Sequence, residues 1–152
     1  MIRFEVARLL DEPELNIFTF FPDYCSHKAG TSVGENFTIY VVRDCDEVFY
    51  VGKSDDDCFV RLRSHIGRIF RGRKSVSLLG SLIQRNLPKS RQWSVELYTN
   101  EDTKEIIKMR FYKGFSFWPT EYAEAAMIQT LKPYLNQKLN TRDRREIPER
   151  YR

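Results

Sequence analysis

The sequence predicts an α/β protein of α+β build: a three-stranded antiparallel central sheet flanked by helices, with an N-terminal β-type extension. Three observations predict it. Two apolar runs, Phe37-Thr38-Ile39-Tyr40-Val41-Val42 and Val48-Phe49-Tyr50-Val51-Gly52, flank the short polar turn Asp44-Cys45-Asp46, the pattern of a hairpin. A third alternating run, Trp93-Ser94-Val95-Glu96-Leu97-Tyr98, supplies the third strand. Apolar residues at helical spacing occupy much of the chain between and after these runs. At 152 residues the chain suffices for a single core.

Residues 1–36 form the extension, packed on the core. Ile2, Phe4 and Val6 alternate with Arg3 and Glu5 as a strand, and Asp11-Glu12-Pro13-Glu14 turns the chain. Residues 15–21 read as a second strand, stopped by Pro22, and residues 23–36 as loop. In the hairpin, a loop of Asp44, Cys45 and Asp46 pairs Arg43 with Glu47 and sets Tyr40 opposite Tyr50. Both phenols then leave the same face, about 5 Å apart at Cβ. A helix over residues 56–71 follows, its start favoured by Asp55, Asp56 and Asp57 and its end marked by Gly72. Arg61 and His65, four residues apart, share one face of it.

Residues 75–85 predict a second helix with Val76, Leu79, Leu82 and Ile83 as its apolar stripe. After the third strand, Asp102 caps a short helix reaching Met109, and residues 111–118 form an aromatic connector closed by Pro119. The last helix ends before Pro133 and carries Glu124 on a stripe with Met127, Ile128 and Leu131. A carboxylate on an apolar stripe is costly to bury unless something binds it. The tail, residues 141–152, is almost wholly charged and is expected to fray.

The net charge of +4 hides an asymmetry. Residues 61–91 hold nine basic side chains and no acidic one: Arg61, Arg63, Arg68, Arg71, Arg73, Lys74, Arg85, Lys89 and Arg91. The rest of the chain has 16 basic against 21 acidic residues. One-signed clustering in an otherwise acidic chain points to a polyanion. Cys25, Cys45 and Cys58 are an odd number without metal-ligand spacing, as expected of free thiols in a reducing cytosol, and Cys25-Ser26-His27 reads as incidental. No run of 18 apolar residues and no signal-peptide core occurs, so the expectation is a cytoplasmic protein without a membrane partner.

Taken together, Thr38-Ile39-Tyr40, Tyr50-Val51-Gly52 followed by Lys53-Ser54, Arg61-Leu62 with His65, and Glu124 with Ile128, Pro133 and Asn136 resemble the motifs of the GIY-YIG nuclease family, in order and spacing. The resemblance covers residues 37–140; Thr38 stands where the family usually has glycine, and the segment after His65 is longer than in the minimal domain. It implies a metal-dependent DNA endonuclease with Tyr40, Tyr50, Arg61, His65, Glu124 and Asn136 in the catalytic set. Glu124 would be the sole protein ligand of Mg²⁺ or Mn²⁺, which keeps most of its waters. Glu121, one turn earlier, is its rival. Arg61 would hold the scissile phosphate. One tyrosine would act as general base with its pKa lowered by the cation, Lys53 or His65, and the sequence leaves open which one. Asn136 would bridge backbone groups near Glu124. Lys53 and the basic residues 63–91 would grip duplex DNA. Cutting both strands of a palindrome would require a homodimer. A non-cleaving DNA-binding module of the same fold is the alternative; so is an RNA-binding protein that stacks bases on Phe70 and Trp93.

Overall fold

The computed structural model describes residues 1–20, 37–55, 58–107, 119–137 and 146–152. The predicted loop over 23–36, the connector 111–118, Met109 and the Cys25–His27 pair lie outside them. The fold is mixed α/β, built on one antiparallel sheet. That sheet has four strands, not three: β1 (Ile2–Glu5), β2 (Ile39–Asp44), β3 (Glu47–Lys53) and β4 (Ser94–Tyr98), in the spatial order β1-β4-β2-β3. The N-terminal strand is thus an integral edge of the sheet, with Phe4 opposite Val95. The predicted strand over 15–21 is absent: Val6–Asp11 forms helix α1 and Ile17–Phe20 the single turn α2. Val6, Leu9 and Leu15 are buried beneath these turns in the main core, which favours helix over a second edge hairpin.

Four further helices follow: α3 (Cys58–Phe70), α4 (Leu78–Arg85), α5 (Asn100–Ile106) and α6 (Thr120–Leu131). Ser77 caps α4, accepting from the Gly80 amide, so the helix starts later than predicted and Val76 is left 76% exposed rather than on the apolar stripe. Thr99, not Asp102, caps α5; the two form a reciprocal capping box. At the end of α6, Lys132 turns left-handed at φ 48° and Pro133 keeps the helix from continuing.

The hairpin register differs from the predicted one. Asp44 pairs with Glu47 around a two-residue loop in which Cys45 has φ 51°. A β-bulge follows: Arg43 pairs with Val48, but Val42 pairs with Tyr50, leaving Phe49 as the extra residue. Tyr40 therefore faces Gly52, and Tyr50 lies diagonally from it. A bulge-free two-residue hairpin would set Tyr50 opposite Val41 and turn its ring to the other face. Phe49 restores the parity. Tyr40, Tyr50 and Val42 thus share one face with α3 and α4, while Ile39, Val41, Val48 and Val51 face α6.

Phe49 also anchors the end of the chain. It packs on Trp93 (4.3 Å between ring centroids) and on Tyr151 (4.9 Å). Of the tail predicted to fray, residues 141–145 lie outside the described residues; for 146–152 the expectation is corrected, for Glu149–Tyr151 is a short 3₁₀ turn and Tyr151 is buried. Its hydroxyl donates to Asp44 (2.7 Å), and Asn86 donates to its carbonyl (3.0 Å). Residues 134–136 run along the outer side of β3: the Tyr134 and Leu135 amides donate to the Val48 and Phe49 carbonyls. That strand's free edge is thereby covered.

Candidate active site

Four elements converge on one cleft. β2 brings Tyr40, β3 brings Tyr50 and Lys53, α3 brings Arg61 and His65, and α6 brings Glu124. The cleft has a volume of about 450 Å³, and its lining combines Tyr50, His65 and Glu124 with Leu78, Leu79, Ile128 and Leu135. Tyr40 lies behind this lining, wholly buried. Its hydroxyl is 3.1 Å from His65 Nε2, and its ring centroid is 6.0 Å from that of Tyr50. Tyr50 meets the His65 ring edge-on at 5.3 Å.

Gly52 makes this seat for Tyr40. A Cβ at that position would lie 2.2 Å from Tyr40 Cζ and 2.3 Å from its oxygen. Thr38, where a glycine was expected from the resemblance, is buried and donates to Asn100 Oδ1 (2.6 Å). His65 is fixed from behind as well: its carbonyl accepts from Ser75 Oγ (2.8 Å) and Ser77 Oγ (3.2 Å). Gly80 lets α4 approach that carbonyl, where a Cβ would lie 2.1 Å from the oxygen. Ser75, Ser77 and Gly80 were not singled out from the sequence, and Gly52 only as part of its motif, although a glycine inside a strand does signal a close approach.

The site's titration behaviour follows from burial. The Tyr40 phenol is pushed well above its ordinary range, first by burial and then by Tyr50, with Arg61 opposing. Tyr50 moves up too, through burial and the nearby Glu124 carboxylate. Of the groups expected to lower a phenol's pKa (the cation, Lys53 or His65), neither Lys53 nor His65 does so in the metal-free protein; the charge that opposes the rise is Arg61. His65 is itself pushed down to about 4 by burial and then by Arg61, so it is neutral at pH 7. Its Nδ1 is buried and has no hydrogen-bond partner among the described residues. The Glu124 carboxyl is raised, mainly by burial, with Lys53 and Arg61 pulling the other way. Glu121, its rival, is exposed, paired with Lys53 Nζ at 2.9 Å and pulled below the usual carboxylate range by it.

Asn136 belongs to the framework. Its Oδ1 accepts from the Val51 amide (3.0 Å) and its Nδ2 donates to the Val51 carbonyl (2.7 Å), tying the strand that bears Tyr50 to the end of α6. The candidate DNA-gripping residues divide. Arg68, Arg71, Arg73, Lys74, Arg85 and Lys89 are exposed, and none has an acidic partner among the described residues. Arg63 instead donates to the Leu15 carbonyl (2.9 Å), Arg91 pairs with Asp11 (2.6 Å) and Lys53 with Glu121. Trp93 is buried under Phe49 and offers no face to a base.

No group of three or more His, Cys, Asp or Glu side chains is arranged for a metal among the described residues. A single half-buried carboxylate with its pKa raised, opening on a cleft beside an arginine, still fits an ion that retains most of its waters. No helix among the described residues is long and apolar enough to cross a membrane. No protein-family model, curated protein or solved structure matches the chain.

Proposed function

We propose that the chain is a divalent-metal-dependent endonuclease that hydrolyses DNA phosphodiester bonds. The observation that carries this reading is the meeting of Tyr50, His65 and Glu124 in the lining of one cleft, with Tyr40 hydrogen-bonded to His65 and Arg61 close enough to act on all four. Mg²⁺ or Mn²⁺ held by Glu124 would supply positive charge to the phosphate and the leaving oxygen. The Arg61 guanidinium, exposed at the rim, offers planar paired donors to the phosphate oxygens.

Burial divides the tyrosines. Tyr50 faces the cleft, whereas Tyr40 is shut off from water, so Tyr50 is the phenol that meets the attacking water. A raised phenol is no base by itself. His65 would be the acceptor at the end of a relay, a weak base while burial and Arg61 disfavour its imidazolium and a stronger one once the phosphate's negative charge offsets Arg61. The water's proton would pass to Tyr50, the Tyr50 proton to Tyr40, and the Tyr40 proton to His65 Nε2. Each phenol gives one proton and receives one, the water becomes the attacking hydroxide, and His65 ends as imidazolium.

Plasmid nicking with and without Mg²⁺ or Mn²⁺ tests the reading. Glu124→Ala should lower the rate at least ~10²-fold, in the range of a lost charge-stabilising group. Arg61→Ala should do the same with an unchanged circular dichroism spectrum. Cleavage that survives Glu124→Ala would overturn this mechanism, and metal-insensitive binding without cutting would favour a DNA-binding module.

A further inference from the structure

The polar side chains of the cleft are enough for phosphate chemistry; about half of its lining is aliphatic. Leu79, Ile128 and Leu135 are buried in the floor and Leu78, 51% exposed, stands at the mouth. The continuous backbone of a stacked duplex presents charged phosphates and sugars to an enzyme, and neither would gain from such a wall. We propose, resting on the nuclease reading above, that this half of the cleft receives a nucleobase unstacked from the helix beside the scissile phosphate. The preferred substrate is then duplex DNA with a mispaired or otherwise loosened nucleotide at the cut.

The chemistry of a base matches the lining. Its faces are flat and apolar and its edge is polar, while the sugar that carries it is esterified to the phosphate facing Glu124 and Arg61. Apolar walls for the faces are supplied by Leu78, Ile128 and Leu135. The amide of Gln137 at the rim, exposed, has both donors and an acceptor for the edge. The neighbouring amide of Asn136 is already committed to Val51. Charge favours the same occupant: Arg71, Arg73 and Lys74 are exposed on the turn leading into Leu78, so an uncharged group tethered to phosphates suits this mouth better than a free apolar ligand. Extruding a base costs a few kcal/mol and least where the base is already mispaired, which converts the pocket into a preference.

Two measurements test this on the full-length protein. Duplex oligonucleotides carrying one central mismatch, or none, are cleaved with Mg²⁺ in excess. The mismatched duplex should be cut at least ~10-fold faster, adjacent to the mismatch, and Leu78→Trp, which fills the mouth, should bring that ratio towards one. The Glu124→Ala protein is then titrated onto the same duplexes with 2-aminopurine at the mismatch, where unstacking should raise fluorescence severalfold, and less with Leu78→Trp or Gln137→Ala. Equal cleavage of both duplexes with unchanged fluorescence, while cutting still depends on Glu124, overturns the base pocket and leaves the nuclease reading standing. Absence of any Glu124-dependent cleavage overturns both.

Discussion

Tyr40 shows how much of this site depends on a hydrogen atom elsewhere. Its ring occupies the space where Gly52 would carry a side chain, and from there its hydroxyl reaches His65 Nε2 at 3.1 Å. Gly52→Ala should therefore cost about 1–3 kcal/mol, the range for overpacking, and reduce nicking far more than that loss of stability alone would, by ~10-fold or more at a temperature where the variant is fully folded. Thermal melts and nicking rates check it. Glu124 makes the opposite case. Burial raises its carboxyl pKa, so the favourable protonated form is lost as pH rises through that value, and at pH 7 the ionised group opposes folding of the metal-free protein. Glu124→Gln should raise the melting midpoint without metal and, on the proposed function, abolish both cleavage and any rise in melting midpoint that Mg²⁺ produces in the wild type. For His65 the folded value, about 4, lies below the ordinary 6.5. The unfolded chain then binds more protons between those values, so stability is full above pH 6.5 and declines as pH falls towards 4. His65→Gln should flatten that part of the pH–stability curve. The five side chains proposed to react were picked out in the sequence by motifs whose order and spacing resemble a nuclease family's. Their protonation states were not, since those depend on burial, which no spacing records.

The hairpin shows which properties of an element a sequence can carry. The sequence-based register was displaced by two residues, yet both phenols share a face, because side-chain direction repeats every two residues and a shift of two preserves it. What could not be read was the mechanism, a shorter loop compensated by a bulge at Phe49. Alternation alone does not distinguish an inserted residue from a longer turn. The strand assigned to residues 15–21 failed for a related reason, since short apolar runs fit a helix turn equally well once a core is present to receive them. The charged tail concealed Tyr151, whose contacts lie with Phe49, Trp93 and Asp44, far away in the chain. Tyr151→Ala should cost about 3–5 kcal/mol, as for other buried aromatics, measured by urea unfolding. Because Phe49 sets the direction of Tyr50, loss of this support should also lower cleavage at temperatures below the unfolding transition.

At the scale of the whole molecule, the basic stretch of residues 61–91 turns out to serve two ends. Arg63 and Arg91 tie α3 and the turn before β4 to the N-terminal segment through Leu15 and Asp11. Arg68, Arg71, Arg73 and Lys74, at the end of α3 and the turn after it, remain exposed without acidic partners among the described residues. Charge counting along a sequence cannot separate these groups, because the partners that neutralise the first are remote in the chain. Salt dependence can. Each phosphate neutralised on duplex DNA contributes about 0.9 to the slope of log affinity against log salt. Replacing Arg71, Arg73 and Lys74 together by alanine should reduce that slope by up to about 2.7 and weaken binding at low salt, with turnover at saturating DNA retained because none of the three lines the cleft. Replacing Arg63 and Arg91 should leave the slope unchanged and lower the unfolding midpoint instead. Fluorescence anisotropy over a salt series, paired with melts of the same variants, reads both. An unchanged slope in the triple variant would make this turn ordinary solvated surface and would move the DNA path to another face of the molecule.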